Sequence, residues 1–150
     1  MRMRKAAKQR RGMPGTVASP AASTPTTALV PTTPKYVFKH GPVDGRDSGL
    51  VNGRALNFTK TSKSSRLMIT YNDNLRVLGN GKACRWMVKL DGGDCKTGTI
   101  AEDFYVTGVN NDHNPHVLLG YCDGVAVGYH HLQVMVMQAP GYSGSDCYTG

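Results

Sequence analysis

Residues 66–95 read RLMITYNDNLRVLGNGKACRWMVKLDGGDC and contain the single tryptophan, Trp86. Leu67, Ile69 and Tyr71 alternate with Arg66, Met68 and Thr70. Cys84, Trp86, Val88 and Leu90 alternate in the same way with Arg85, Met87 and Lys89. A period of two is the mark of strands that bury one face. Asn72-Asp73-Asn74 and Gly79-Asn80-Gly81 supply residues that tolerate positive φ, so both triplets are expected to reverse the chain.

The same alternation extends outward from this stretch. Leu56 and Phe58 share a face in a strand expected over 55–61, after a loop at 39–53 punctuated by Gly41-Pro42, Asp44-Gly45 and Asn52-Gly53. Tyr36-Val37-Phe38 reads as a short strand that opens the folded body. Downstream come a strand near 99–107 with Phe104 and Val106 on one face, a polar turn at 108–115, and a short apolar strand from His116 to Tyr121. The longest strand is expected from Val125 to Gln138. Its second half is apolar on both faces, with Leu132, Val134 and Val136 against Met135 and Met137. Such a strand is buried twice, in a core and against a further layer or subunit. Residues 139–150 read as loop. Seven to eight strands at regular spacing, with no helical pattern of useful length, give an all-β fold: an antiparallel β-sandwich or jelly roll over residues 36–150. A body of about 115 residues buries roughly 65% of its unfolded surface.

Charge divides the chain. The net charge is +8, yet residues 1–35 hold seven basic residues and no acid, whereas 36–150 hold eleven basic and ten acidic. The positive field therefore belongs to an N-terminal arm with Arg2, Arg4, Lys5, Lys8, Arg10 and Arg11, followed by a Pro/Thr/Ala-rich spacer that cannot bury a core. Such an arm suits phosphate binding. No apolar h-region follows it, so export would need another route or a start upstream of Met1.

Four cysteines, spaced C-x10-C-x26-C-x24-C, lack the C-x2-C pair of a zinc ribbon and suffice for two disulfides. Paired cystines point to an oxidising compartment. Catalytic sets are not legible. His113 and His116 lie in a proline-broken loop, His130 and His131 are adjacent on a strand and face opposite ways, and His40 stands alone. These are read as core or interface histidines. If one lines a subunit axis, its protonation would loosen assembly. No nucleophile has a base at a recognisable spacing, so the chain is expected not to be an enzyme and to need no cofactor. Ca²⁺ is the one ion considered, at Asn110-Asn111-Asp112 or between Asp91 and Asp94, where solvated turn residues are the simpler reading. Asn57-Phe58-Thr59 is an acceptor sequon for N-glycosylation if the chain is exported.

Ala83-Cys84-Arg85-Trp86, Asp91-Gly-Gly-Asp-Cys95, Gly120-Tyr-Cys-Asp-Gly124 and Asp146-Cys-Tyr-Thr-Gly150 occur in this order. Over residues 48–150 they resemble the C-terminal globular domain of the collagen triple helix repeat-containing protein family. The resemblance implies a secreted, matrix-associated protein with a complement-1q/TNF-like jelly roll that assembles as a homotrimer and recognises an extracellular protein or receptor. Trp86, Leu132, Val134, Met135, Val136 and Met137 are then the expected core and interface residues. The chain departs from that family in having no collagen repeat and no signal peptide. The family pattern also continues past Gly150 into one further strand, so a fragment or a sandwich with an open slot is expected. Positions along the chain suggest the disulfides Cys84–Cys95, flanking a hairpin-like segment, and Cys122–Cys147. A basic arm, a spacer and a neutral β-sandwich also describe small-virus capsid proteins. This second reading places the protein in a virion or inside a cell, with the arm on nucleic acid.

Overall fold

A computed structural model describes residues 41–108 and 111–150. The expected strand at Tyr36–Phe38, the basic arm, His40 and Asn110 lie outside the described residues. Seven strands follow in order: β1 (Gly49–Lys60), β2 (Leu67–Leu78), β3 (Lys82–Leu90), β4 (Ile100–Val106), β5 (Asn114–Cys122), β6 (Gly128–Gln138) and β7 (Asp146–Thr149). They form two antiparallel sheets, β1-β6-β3-β4 and β5-β2-β7. None of the described residues is helical. The fold is thus an all-β sandwich, as the alternation predicts.

The inward faces make one core. Cys84, Trp86 and Val88 of β3 stand beside Val136 and Val134 of β6, opposite Ile69, Leu75 and Val77 of β2 and Leu118 of β5. Trp86, Leu75 and Val136 are fully buried. Gly120 of β5 has no room for a side chain, since an added Cβ would lie 2.6 Å from Ile100 of β4. That close approach sets the two edge strands β4 and β5 against each other.

Several boundaries differ from the pattern. β1 begins at Gly49, six residues before the expected strand, because a register shift between Leu50 and Ala55 carries the ladder to β6 across the Asn52-Gly53 turn signal. Such a bulge bends the strand and re-aims a side chain, here Arg54. Asn72-Asp73-Asn74 is not a turn: β2 runs straight through it. Asn72 and Asn74 are exposed, and the inward Asp73 is neutralised by Arg54 at 2.6 Å, so the polar triplet fits the strand. The reversal at Gly79-Asn80-Gly81 is present, with both glycines at positive φ. The strand expected from Val125 starts at Gly128.

The C-terminal tail is not loop. β7 pairs with β2, and Cys147 and Thr149 are buried. Four residues are too short for an alternation pattern to register, which is why the sequence conceals this strand.

Candidate functional site

The arrangement is best built from the ties between the sheets, because they decide which side chains remain available outside. At one margin, Arg54 of β1 crosses to Asp73 of β2, where Tyr71 Oη also donates to Asp73 at 2.7 Å. The Arg54 side chain is only 7% exposed, so its charge survives burial because a carboxylate meets it. Burial, with Asp73 alongside, pushes the Tyr71 hydroxyl far above its ordinary range. In the middle, Trp86 Nε1 of β3 donates to Thr149 Oγ1 of β7 at 2.8 Å. At the other margin, His116 Nδ1 of β5 meets Glu102 Oε1 of β4 at 2.6 Å, and its ring lies 4.3 Å from that of Phe104.

The disulfides correct the expected pairing. Cys84 joins Cys147 and Cys95 joins Cys122, with Cα separations of 5.9 and 5.2 Å. The error has a geometric cause. From Cys84 to Leu90 the chain is extended strand, which at about 3.3 Å per residue carries it some 20 Å. Leu90 then pairs with Gly93 across a tight turn, so only two residues remain to carry Cys95 back, too few to bring it within the roughly 7 Å of Cys84 that a disulfide requires. Cys84 faces inward onto β7, and the loop after β3 returns Cys95 to the end of β5.

β7 is held on every side. Asp44 exchanges backbone hydrogen bonds with Thr149, 2.9 Å each, and Asp47 Oδ1 accepts from Cys147 N at 2.8 Å. Burial opposes ionisation of Asp44, but bonds from Arg46 and from Asn52 N hold its carboxyl below the ordinary carboxylate range. Ser145 Oγ donates to Ala83 O at 3.0 Å, and Gln138 brackets the Ser145 backbone with its side-chain amide.

At the far end of the core, His130 points inward from β6 and is 8% exposed. Its Nδ1 lies 2.7 Å from Asp91 Oδ2 and its Nε2 lies 2.9 Å from Ala126 O, so both ring nitrogens face acceptors. That geometry favours the doubly protonated ring. The Asp91 hydrogen bond first, and the Ala126 carbonyl second, raise its pKa above the ordinary 6.5, whereas Lys60 opposes. Asp91, at φ 52, accepts also from His131 N, and its carboxyl is held below the ordinary range. His131 faces the other way, toward Asn57 Oδ1.

The candidate Ca²⁺ carboxylates are turned onto protein partners. Asp91 binds the two histidine positions, Asp94 binds Lys89 and Thr99, and Asn111 Oδ1 accepts from Arg76. Among the described residues no group of three or more His, Cys, Asp or Glu converges on a metal position. A cavity of about 230 Å³ lies between the end of β4 and the start of β5, lined by Val77, Phe104, Val106, Asp112 and Asn114 among others. It is small for an organic substrate.

The outward faces differ in character. Of the residues singled out in the sequence, Trp86, Val134 and Val136 are core and Leu132 packs against them, while Met135 and Met137 point out of the four-stranded sheet. There Met135 stands between Leu50 of β1 and Met87 of β3, and Ala101 of β4 continues the row. The ion pairs Arg85–Asp103 and Lys89–Asp94 flank it. Asn57 is exposed on the same face, near its β1 edge. The three-stranded sheet exposes Met68, Val117, Leu119 and Tyr121, a patch that alternation alone does not mark. Its only signal is that both faces of the 116–121 run are apolar.

No curated protein and no solved structure matches the chain. A family model, "CTHRC1, C-terminal domain", matches residues 37–150, which takes in all seven strands and both disulfides. This chain therefore belongs to the CTHRC1 C-terminal domain family, the collagen triple helix repeat-containing proteins.

Proposed function

We propose that the chain is a secreted, matrix-associated recognition module that assembles as a homotrimer and acts by protein–protein contact, without catalysis. The family membership supports secretion, and two buried cystines suit an oxidising, extracellular setting. The observation that carries the contact reading is the row Leu50–Met135–Met87–Ala101 on the outward side of the four-stranded sheet, in which Leu50 and Ala101 are exposed, Met135 is half-buried and Met87 is already covered within the chain, with charged pairs at its margins. A methionine-rich centre with a polar rim is the make-up of an adaptable protein interface. Subunit packing is assigned to this row and to Met137, and Trp86 acts beneath it as core.

The test is light scattering on the full chain exported from eukaryotic cells. A threefold mass, lost in Met135→Glu with both disulfides intact, supports the reading. A monomer at every concentration overturns it. The same material checks Asn57, whose exposed side chain would carry the glycan. Endoglycosidase treatment should lower the mass of the wild type and leave Asn57→Gln unchanged.

The basic arm supports a second reading, in which Arg2, Arg4, Lys5, Lys8, Arg10 and Arg11 bind nucleic acid. It predicts an affinity that falls with salt at a log–log slope near −0.9 per duplex phosphate neutralised. Binding that survives deletion of residues 1–11 excludes this role for the arm.

A further inference from the structure

Among the described residues the sandwich has four edge strands, and three of them are defended. β1 has a bulge and carries Arg54 and Lys60. β4 carries Glu102 and Asp103. β7 has its edge occupied by Asp44 and Asp47. Charges, bulges and covering segments are the usual means of preventing one sheet from adding to another. β5, NPHVLLGYC, contains no lysine, arginine, aspartate or glutamate. Its outward side chains Val117, Leu119 and Tyr121 are 55, 60 and 47% exposed, and Met68, opposite Tyr121 on β2, is 59% exposed.

Among the described residues, the side-chain hydrogen bond on the backbone of this edge is at Tyr121. Tyr121 O accepts from Thr97 Oγ1 at 2.9 Å, so the polar groups of Tyr121 point away from β2. Backbone direction alternates along a strand as side chains do, so Leu119 and Val117 share that orientation. The residues with apolar, exposed side chains are therefore those whose N–H and C=O groups face outward from the sheet.

We propose that β5 docks against β5 of a second copy of this chain, antiparallel across a twofold axis, joining two three-stranded sheets into one of six strands. Charge distribution identifies the occupant. Arg66 and Asp123 form an ion pair at one end of β5, and Asp112 and His113 are exposed at the other. An antiparallel copy brings Arg66 of each chain toward Asp112 of the other, opposite charges at both ends, while His113 turns to Gly150 O and the Tyr148 ring of its own chain. Between these ends the contact is apolar, with Val117 and Leu119 facing each other across the axis. Pro115, which has no N–H, ends the ladder at its N-terminal side. The contact lies on the sheet opposite Met135, so it is separate from the threefold packing proposed above.

Sedimentation equilibrium of the full oxidised chain from 1 μM to 1 mM tests the proposal. The basic unit, whether monomer or trimer, should double in mass as concentration rises. Leu119→Lys should weaken the doubling at least tenfold with the basic unit unchanged. Leu119→Thr, which keeps strand propensity, should give a smaller shift in the same direction and serves if the lysine variant misfolds. Amide exchange at Val117 and Leu119 should slow with concentration. A basic unit that never doubles, or doubling unaffected by either variant, overturns the proposal. So does an unrelated extended peptide that binds β5 as tightly as a second copy, which would make the edge a general strand acceptor.

Discussion

The clasp at His130 makes a stability prediction whose sign can be derived from geometry. Asp91 Oδ2 and Ala126 O lie at 2.7 and 2.9 Å from the two ring nitrogens, so the folded state favours the imidazolium. The groups facing it are Asp91 at the end of β3, Lys60 on β1, which opposes its charge, and the neighbouring His131 on β6, which points to the other face. His130 has its pKa raised above the ordinary 6.5, so its contribution is complete below that value and is lost as pH rises through the higher, folded value. Asp91 has its pKa lowered from 3.8, so its contribution is present above that value and is lost as pH falls through the depressed one. The clasp is therefore strongest between these limits, around pH 5–6. A hydrogen bond to a charged group is worth about 1.5–3 kcal/mol when buried. The Asp91 side chain is 50% exposed, which screens the pair to about 1 kcal/mol. Urea unfolding of the unreduced protein at pH 5.5 and pH 8 is the assay. Wild type should lose about 1 kcal/mol at the higher pH, and Asp91→Asn should start lower by a similar amount with most of that slope gone. His130→Gln should also flatten the profile. An undiminished pH slope in Asp91→Asn, or wild-type stability that rises between pH 6 and 8, would refute the assignment of a charged His130.

Peptide mapping of unreduced protein should recover Cys84 with Cys147 and Cys95 with Cys122. The sequence separations of 63 and 27 correspond to about 4 and 3.5 kcal/mol of loop-closure entropy, so replacing the Cys84–Cys147 pair with alanines should lower thermal stability more than replacing the other. Trp86→Phe removes the donor to Thr149 Oγ1 and leaves a gap in a fully buried site. A loss of about 2–3 kcal/mol is expected in denaturant melts, with Thr149→Val costing less because it removes one hydrogen bond and little volume. Arg54→Met strands Asp73 between the sheets and should cost about 3 kcal/mol, of which Arg54→Met/Asp73→Leu should recover a large part.

What the sequence made legible is what alternation encodes. Leu67, Ile69 and Tyr71, and Cys84, Trp86 and Val88, occupy the inward faces their spacing implies, and Met135 and Met137 fall on the face opposite Val134 and Val136. What stayed hidden depends on partners far along the chain. Asp73 looks like a turn residue until Arg54 neutralises it, and Asp91 and Asp94 look like ion ligands until His130 and Lys89 claim them. The disulfide pattern is hidden because nearness in sequence is not nearness in space: an extended β3 separates Cys84 from Cys95.

These two kinds of residue have different consequences for recognition. Inward positions are constrained by a core that contains Trp86 and both disulfides, so substitutions there report on folding. Outward positions are constrained only where another surface covers them. On the three-stranded sheet, β2 presents Thr70, Asn72 and Asn74 to solvent, which needs no partner, while the adjacent β5 presents Val117 and Leu119. Solvent alone does not account for that contrast within one sheet, since these residues are exposed on both strands, and the one exposed apolar residue of β2, Met68, lies opposite Tyr121 of β5. An interface at the β5 margin does, and it implies that lysine at position 119 should leave the unfolding midpoint near wild type at low concentration. Large destabilisation of the dilute protein would show instead that Leu119 serves the fold.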